Sequence, residues 1–326
     1  MRFSIFIILF IVFYTTSCSA LLPTAKITAK VVDTEGKPVE GVDTFARFLT
    51  GTDATIVEGK TDKEGFFTAT GKTIGECNIN ARKEGYYGAG VGFREVLKDY
   101  SKITRQWQPW NPTGIIVLKD IRNPTQMYAK YTGYLDIPIL GKPVGYDLEI
   151  GSWVTPYGKG NNKDFIFIFK KSDKDAKPGS GNWSISYKLF FTNEKDGIQE
   201  YYPDKQNSHS RYPWPYEAPK AGYQNSIEGF SSIKDGYVKK SFDKKRNYIF
   251  RVRTELDDQG NIVEAKYGKI REDFQIGLSR TSLGVIHYTY YYNPTGNRNL
   301  EYDIKKTLFT FPRNESGMMG AEVSRP

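Results

Sequence analysis

"KVVDTEGKPVEGV", residues 30–42, reads as a strand, a tight turn carrying Gly36, a proline at 38 and a second short apolar run. Its echo, "TDKEGFF" at residues 61–67, repeats the turn and the return to apolar residues. Glycine tolerates the left-handed backbone of tight turns, and proline presets φ at their entry, so both stretches have the chemistry of hairpins in a small β domain. Neither brings together residues that would make a catalytic or binding site. The pair decides the fold and leaves the function to be sought elsewhere.

The rest of the chain agrees with that reading. It has 326 residues, enough for two ordinary domains or one large sandwich with an insertion. Tyr (23), Phe (20) and Gly (31) are abundant, while His (2), Cys (2) and Met (4) are scarce. Large flat side chains pack well on pleated sheets and Gly serves the turns, so the composition favours twisted sheets over helices. Hydrophobic residues make up 39 % of the chain, a modest share, but aromatic rings bury much area each and a core of useful size is expected. The formal charge of +9 is spread over nearly every segment, as on a solvated surface. Anionic glycans or a membrane surface are the partners such an excess would favour. Nucleic acid is not expected, because no basic helical stripe or recognised nucleic-acid motif occurs.

Residues 1–20, "MRFSIFIILFIVFYTTSCSA", combine Arg2, an apolar run from Phe3 to Tyr14 and small polar residues. This is the shape of a secretory signal, shorter than the ~20 apolar residues of a membrane-spanning helix. Thr15-Thr16-Ser17-Cys18 resembles a bacterial lipobox, whose cysteine is acylated and becomes the new N-terminus; Thr15 departs from it, standing where Leu is usual. Lipidation at Cys18 is therefore expected, with plain cleavage after Ala20 as the other route. Either route places the mature protein outside the cytoplasm, in a bacterial cell envelope or secreted. Cys77 then stays alone in the folded part, so no intramolecular disulfide is expected, and its strand-like setting "GECNINA" suits a buried, inert thiol.

From Ala25 to Leu118 short β segments alternate with turns, as in "KITAKVVD", where Ile27, Ala29 and Val31 share a face. "VGFREVLKDYSKI" (91–103) is the one stretch that predicts a short helix. Gly36, Pro38 and Gly41, then Thr61, Asp62, Gly65 and Phe66, then "ARKEGYYG" (81–88) and "IIVLKDIRNP" (115–124), are similar to carboxypeptidase regulatory-like domains. The resemblance covers residues 24–120. It implies a transthyretin-like or immunoglobulin-like sandwich acting as an accessory module on secreted and surface proteins, and it brings no catalytic residues.

"DIRNPTQMYAK" marks a linker at 121–130, and residues 131–312 resemble no family but still read as β. "DFIFIFK" (164–170) has the continuous apolar run of a strand buried on both faces. "WSISYKLFF" (183–191) sets Ile185, Tyr187 and Leu189 against Ser184, Ser186 and Lys188. "YIFRVRTEL" (248–256) sets Phe250, Val252 and Thr254 against Arg251 and Arg253. With the turn "DDQGN" (257–261) and the returning "IVEAKYGKI" (262–270) it forms the strongest hairpin signal in the chain. A larger antiparallel, jelly-roll-like β-sandwich is expected, with a flexible tail at 313–326.

Chemistry-bearing patterns mostly fail on spacing. "GFFTATGKT" from Gly65 has five residues rather than four between its glycines and no helix to follow, and "GAGVG" from Gly88 lacks the dinucleotide spacing. His209 and His287 are isolated, and no Gly-x-Ser-x-Gly elbow offers a nucleophile. His287 lies on the strand face of Thr289 and Tyr291, which suits a hydrogen-bonded sheet histidine, and His209 suits an exposed loop. Two isolated His and one Cys give no transition-metal site. "DDQGN", with Glu255 and Glu264 near it, offers oxygen ligands to calcium, but it lacks the spacing of a calcium loop and suits a hairpin turn. No cofactor or metal is expected.

The most suggestive segment is "SHSRYPWPYEAPKAGY" (208–223), where Arg211, Tyr212, Trp214, Tyr216 and Tyr223 crowd a proline-stiffened loop. Aromatic faces stack on sugar rings and Arg bonds hydroxyls or carboxylates, so a glycan-binding surface is one reading. The other is that the rings cover the sheet beneath. Trp107 and Trp110, joined through Pro109, pose the same choice, or seal a domain interface. A binding or structural role at the cell surface, for glycans or another envelope component, is the leading functional expectation. The rival is a polysaccharide lyase acting on acidic glycans through Tyr212, Arg211 and Tyr223, and a third class is a scaffold without ligand.

Overall fold

The computed structural model describes residues 22–173, 175–179, 181–204, 210–309 and residue 323. Residues 1–21 with Cys18, His209, and residues 310–326 apart from Val323 lie outside them. Every regular element among the described residues is a strand, so the protein is all-β. The chain divides into two compact units, Met1–Asp120 and Ile121–Pro326, each with a core of its own.

In the first unit the strand Thr24–Val32 lies between Phe66–Lys72, antiparallel, and Thr113–Val117, parallel. A second sheet runs Ala54–Lys60, Asp43–Leu49, Cys77–Arg82, Ala89–Gly92. Ile27, Ala29 and Val31 are fully buried, as their alternation predicts, and pack with Phe48, Ile79 and Ile116 between the sheets. Full burial of an aliphatic or aromatic side chain contributes about 1.5–3 kcal/mol, which makes this strip the main support of the unit.

The two signature stretches are bonded to each other. Thr61 donates its hydroxyl to the Val39 carbonyl (2.7 Å) and accepts the Val42 N–H (3.0 Å). The Val31 N–H donates to the Gly65 carbonyl at 2.8 Å. Gly65 has φ of +79°, and a Cβ there would stand 2.5 Å from the Val31 carbonyl oxygen, so only glycine fits. Each turn is closed by an aspartate two or more residues ahead: Asp33 accepts from the N–H groups of Glu35 and Lys37, and Asp62 from that of Phe66.

The helix expected over 91–103 does not form. Residues 94–96 make a single turn, closed by Val96 and Leu97 N–H groups on the Phe93 carbonyl, before the chain returns to strand at Asp99–Tyr100. Phe93 and Leu97 are both buried in the core, and one turn suffices to place both. A longer helix would have to overcome the unfavourable nucleation of so short a segment.

The second unit is a sandwich of two sheets. The large sheet has the order Gly197–Tyr201, Asn247–Leu256, Ile262–Gly277, Val285–Asn293, Thr125–Tyr131, Tyr302–Thr307, with Leu135–Asp136 also on Val285–Asn293. The facing sheet runs Ser152–Trp153, Pro143–Asp147, Phe165–Lys171, Trp183–Phe190, Ser226–Lys234, Tyr237–Lys240. All pairings are antiparallel except that of Thr125–Tyr131 with Tyr302–Thr307, which is parallel. Between the sheets lies an aromatic core in which Phe165 meets Phe250 edge-on at 5.0 Å and Phe274 meets Tyr288 at 4.9 Å. Such pairs add about 0.5–1.5 kcal/mol to the burial of their area.

Arg251 and Arg253 do not share a face. Arg253 has φ of +54° at a break in register after Val252. Arg251 reaches the carbonyls of Lys195 and Lys220 on the outer side, while Arg253 turns to Asp164 and Glu149 of the facing layer.

Candidate functional site

Alternation along Val285–Asn293 sends Ile286, Tyr288, Tyr290 and Tyr292 into the core and His287, Thr289 and Tyr291 to the outer face of the large sheet. Across from them on that face stand Lys269 opposite Tyr291, Arg271 opposite Thr289 and Gln275 opposite His287. This outer face has two halves with different fates.

One half is covered by the proline-rich loop. Tyr212 and Trp214 are 0 % and 1 % exposed, and their rings lie 4.9 and 5.2 Å from the Lys269 ammonium, which is itself fully buried. Tyr291 closes the cage at 5.0 Å, and the Lys269 ammonium donates to the Leu300 carbonyl at 2.7 Å. Tyr223 lies under Arg251 at 4.6 Å, and Tyr216 under Arg122 at 3.8 Å. Each of these rings thus carries a cation of the protein itself. Tyr212 and Tyr223 donate their hydroxyls to the loop's own Pro215 and Pro219 carbonyls. Burial raises the Tyr223 phenol above its ordinary range, against the nearby Arg251, which lowers it. Arg211 alone of the loop's predicted residues is fully at the surface.

The tryptophans of the first unit behave differently from each other. Trp107 donates its indole N–H to the Thr73 carbonyl at 3.0 Å and tilts against Tyr100 at 5.4 Å. Trp110 is 39 % exposed.

The other half of the outer face opens into a cavity of about 150 Å³. Its cause is a bulge: between the pairs Arg271–Thr289 and Gln275–His287, three residues (Glu272, Asp273, Phe274) oppose Tyr288 alone. Glu272 takes φ of +64°, a conformation that costs a non-glycine residue of order 1 kcal/mol. Its N–H is held by the Asn247 side chain at 3.0 Å, and Phe274 is swung back into the core. Asp273 turns inward, accepting the Tyr248 hydroxyl at 2.7 Å and the Asp243 N–H at 3.1 Å, with Arg246 at 3.7 Å. Burial raises its carboxyl above the usual aspartate range, and those partners work in the opposite direction. Bulges commonly re-aim side chains in this way, and here the effect is a recess lined by the bulge itself (Glu272, Asp273), by Arg271 and Gln275 on either side of it, and by Tyr131 and His287–Thr289 across from it.

The opposite wall comes from the end of Thr125–Tyr131. Tyr131 is hydrogen-bonded to His287 Nδ1 at 3.3 Å. Thr132 then locks onto the Tyr288 backbone, and Gly133 (φ +62°) turns the chain so that the Tyr134 ring lies 5.3 Å from that of His287. Tyr134 is 76 % exposed, an open ring at the rim. The expectation of a hydrogen-bonded sheet histidine thus fits His287. The residues around it escaped the sequence reading, although the run Arg271-Glu272-Asp273 inside an apolar-alternating strand is the mark a bulge leaves.

A larger hollow of about 420 Å³ lies beside Pro124, Pro294 and Leu308, with Asp303 as the one ionisable residue among its described walls. The carboxylates of Asp147, Asp164 and Glu149 surround Arg253, which bonds Asp164 through Nε (2.7 Å) and Nη2 (2.9 Å) and Glu149 through Nη1 (2.8 Å). That cluster is a tie between the two sheets. Among the described residues no group of three or more His, Cys, Asp and Glu is arranged to hold a metal ion. The Asp257 turn accepts N–H bonds from Gln259 and Asn261, as a hairpin closure does.

No family model matches the chain, and no curated protein does. Among solved structures, a DUF3823 family protein from Parabacteroides merdae aligns over 86 % of this chain and 100 % of its own at 10 % identity, with a TM-score of 0.21. The shaft pilin SpaA of Lactobacillus rhamnosus GG aligns over 75 % and 92 % at 11 % identity, with a TM-score of 0.21. A 3-chlorocatechol 1,2-dioxygenase from Rhodococcus opacus aligns over 30 % of this chain at 14 % identity, with a TM-score of 0.24, and the match spans 60 % of the dioxygenase's length. Likenesses this remote carry no argument about activity; the all-β class rests on the strands and their pairing.

Proposed function

We propose that the protein is an extracytoplasmic binding protein, held at the membrane by lipid on Cys18, whose second unit binds a glycan of the cell surface or its surroundings. The observation that carries the binding role is the polar recess at His287, which the bulge at 272–274 opens beside the half of the sheet face that the loop covers. The leader-like residues 1–20 with their lipobox-like end support the location, and the resemblance of residues 24–120 to accessory modules of secreted proteins agrees with it. The aromatic loop at 210–224 serves this reading as a lid over the sheet, since its rings engage internal cations.

Two measurements test the proposal. Cells expressing the protein are fed labelled palmitate and fractionated; label in the wild-type membrane fraction, and its loss with release of the protein in Cys18→Ser, is the expected result. A wild type without label sinks the anchor. A glycan array probed with purified protein tests the binding role, and an array without a single saturable ligand sinks that.

A further inference from the structure

We propose that the hairpin tip at residues 101–105 of the first unit rests on the bilayer that holds the Cys18 lipid, an inference that depends on the anchor proposed above. The tip stands at the chain's entry into the fold. The Thr24 N–H donates to the Arg105 carbonyl at 2.8 Å, so the first strand begins against this turn. The Thr73 N–H donates to the Pro23 carbonyl at 3.0 Å, and the Trp107 indole N–H to the Thr73 carbonyl, which closes the junction on its other side. Cys18 precedes Leu22, the first described residue, by four residues, a length of chain that reaches at most about 14 Å. An acylated Cys18 therefore holds this pole of the unit beside the lipid headgroups.

The tip is built to project. The Arg105 N–H donates to the Ser101 carbonyl at 2.7 Å, the Ser101 N–H to the Gln106 carbonyl at 2.9 Å and the Thr104 N–H to the Ser101 hydroxyl at 3.2 Å. What this fixed turn presents is Ile103, at 95 % the most exposed large apolar side chain among the described residues. A lone surface isoleucine is ordinary, but Ile74 and Tyr100, both more than a third exposed, stand at the same pole, Ile74 next to Thr73 and Tyr100 paired with Trp107. Tyrosine rings favour the depth of the headgroups. Lys98 and Lys102 are exposed, and neither is in an ion pair among the described residues. Asp99, the one acid of residues 98–108, accepts the Tyr100 N–H at 2.7 Å. An apolar point set among lysines suits a bilayer with anionic headgroups. The side chain enters the acyl boundary and the ammonium groups stay at the level of the phosphates, within the ~10 Å reach of the surface potential.

The test uses the mature, acylated chain, expressed with its own leader and reconstituted into vesicles of phosphatidylethanolamine and phosphatidylglycerol. Mass spectrometry reads the acyl group on Cys18. An environment-sensitive fluorophore is attached at Thr104→Cys, beside the tip residue, or at Glu35→Cys, in the turn beyond the far end of Thr24–Val32; wild type treated with the same reagent is the blank for Cys77. The expected result is blue-shifted emission at position 104, quenched by nitroxide-bearing lipid, with neither effect at position 35. Ile103→Asp added to Thr104→Cys should lose both effects at an unchanged melting temperature, since Ile103 lies outside the core. Vesicles of phosphatidylcholine alone should give weaker quenching at position 104. An acylated protein with position 104 quenched no more than position 35 would overturn the inference and leave the anchor standing. A blue shift without quenching would assign the tip to a second copy or another protein and overturn it equally. Quenching that survives Ile103→Asp would overturn the placement of the contact, and equal quenching in phosphatidylcholine the choice of an anionic surface. A chain without acyl mass would overturn the anchor and the inference together.

Discussion

The ammonium of Lys269 stands 5.2 Å from the ring centre of Trp214, and neither residue is more than 1 % exposed. A buried cation costs several kcal/mol unless its hydration is replaced. Here the replacement is the Leu300 carbonyl and the faces of Trp214, Tyr212 and Tyr291. A desolvated cation–ring contact is worth about 2 kcal/mol, so the loop and the sheet are fastened by the same chemistry that would otherwise bind a ligand.

The Arg253 cluster makes a second fastening, between the two sheets. Removing the guanidinium in Arg253→Met leaves Asp147 and Asp164, both buried, without their shared cation. Breaking a buried pair in this way costs about 3–5 kcal/mol. Arg253→Lys should recover little of it, because one ammonium cannot reproduce the two-point bond to Asp164. Urea unfolding of the two variants against wild type measures both numbers; a midpoint within error of wild type for Arg253→Met would show the cluster to be dispensable.

Acid stability should follow two opposed carboxylates. Burial tends to raise Asp147, but the N–H groups of Asn162, Asn161, Ile150 and Glu149 outweigh it and hold the carboxyl below 3.8. Between that lowered value and 3.8 the unfolded chain binds the proton first, so Asp147 contributes stability above this window and loses it as pH falls through it. Asp273 is raised by burial, so just above 3.8 the folded state binds the proton first and stability rises as pH falls. Urea midpoints across acid pH should therefore lose the rise in Asp273→Asn and lose part of the later fall in Asp147→Asn. Parallel curves for all three proteins would contradict both assignments.

Cys77 is 4 % exposed, and burial pushes its thiol up to about 12. At neutral pH it holds almost no thiolate, the reactive form. In a Cys18→Ser background, a thiol-specific reagent should leave the native protein unmodified over hours and modify it within minutes in denaturant. Rapid labelling of the native protein would place Cys77 at the surface.

The sequence announced the strands well where alternation is strict: Ile185, Tyr187 and Leu189 are buried against more open Ser184, Ser186 and Lys188. Both glycine turns of the first unit sit where their chemistry puts them. Alternation fails to speak at Arg253, where a left-handed residue breaks the register after Val252; at Glu272 only the charged run Arg271-Glu272-Asp273 hints at the bulge, and the alternation resumes in its old phase at Phe274 and Gln275. The aromatic loop was legible as unusual and illegible as to purpose. Rings that stack on a sugar and rings that cover a buried lysine are chemically alike, and only the pairing that sets Lys269 opposite Tyr291 separates the two.

The most direct test of this assignment is the unfolding of Trp214→Ala, read by urea titration and by amide exchange across residues 210–224. If the loop is a lid fastened on Lys269, truncation of a fully buried tryptophan costs about 3–5 kcal/mol and the loop's amides exchange faster. Unfolding and exchange indistinguishable from wild type would mean that Trp214 bears no structural load, and the aromatic loop would return as the place to look for the ligand.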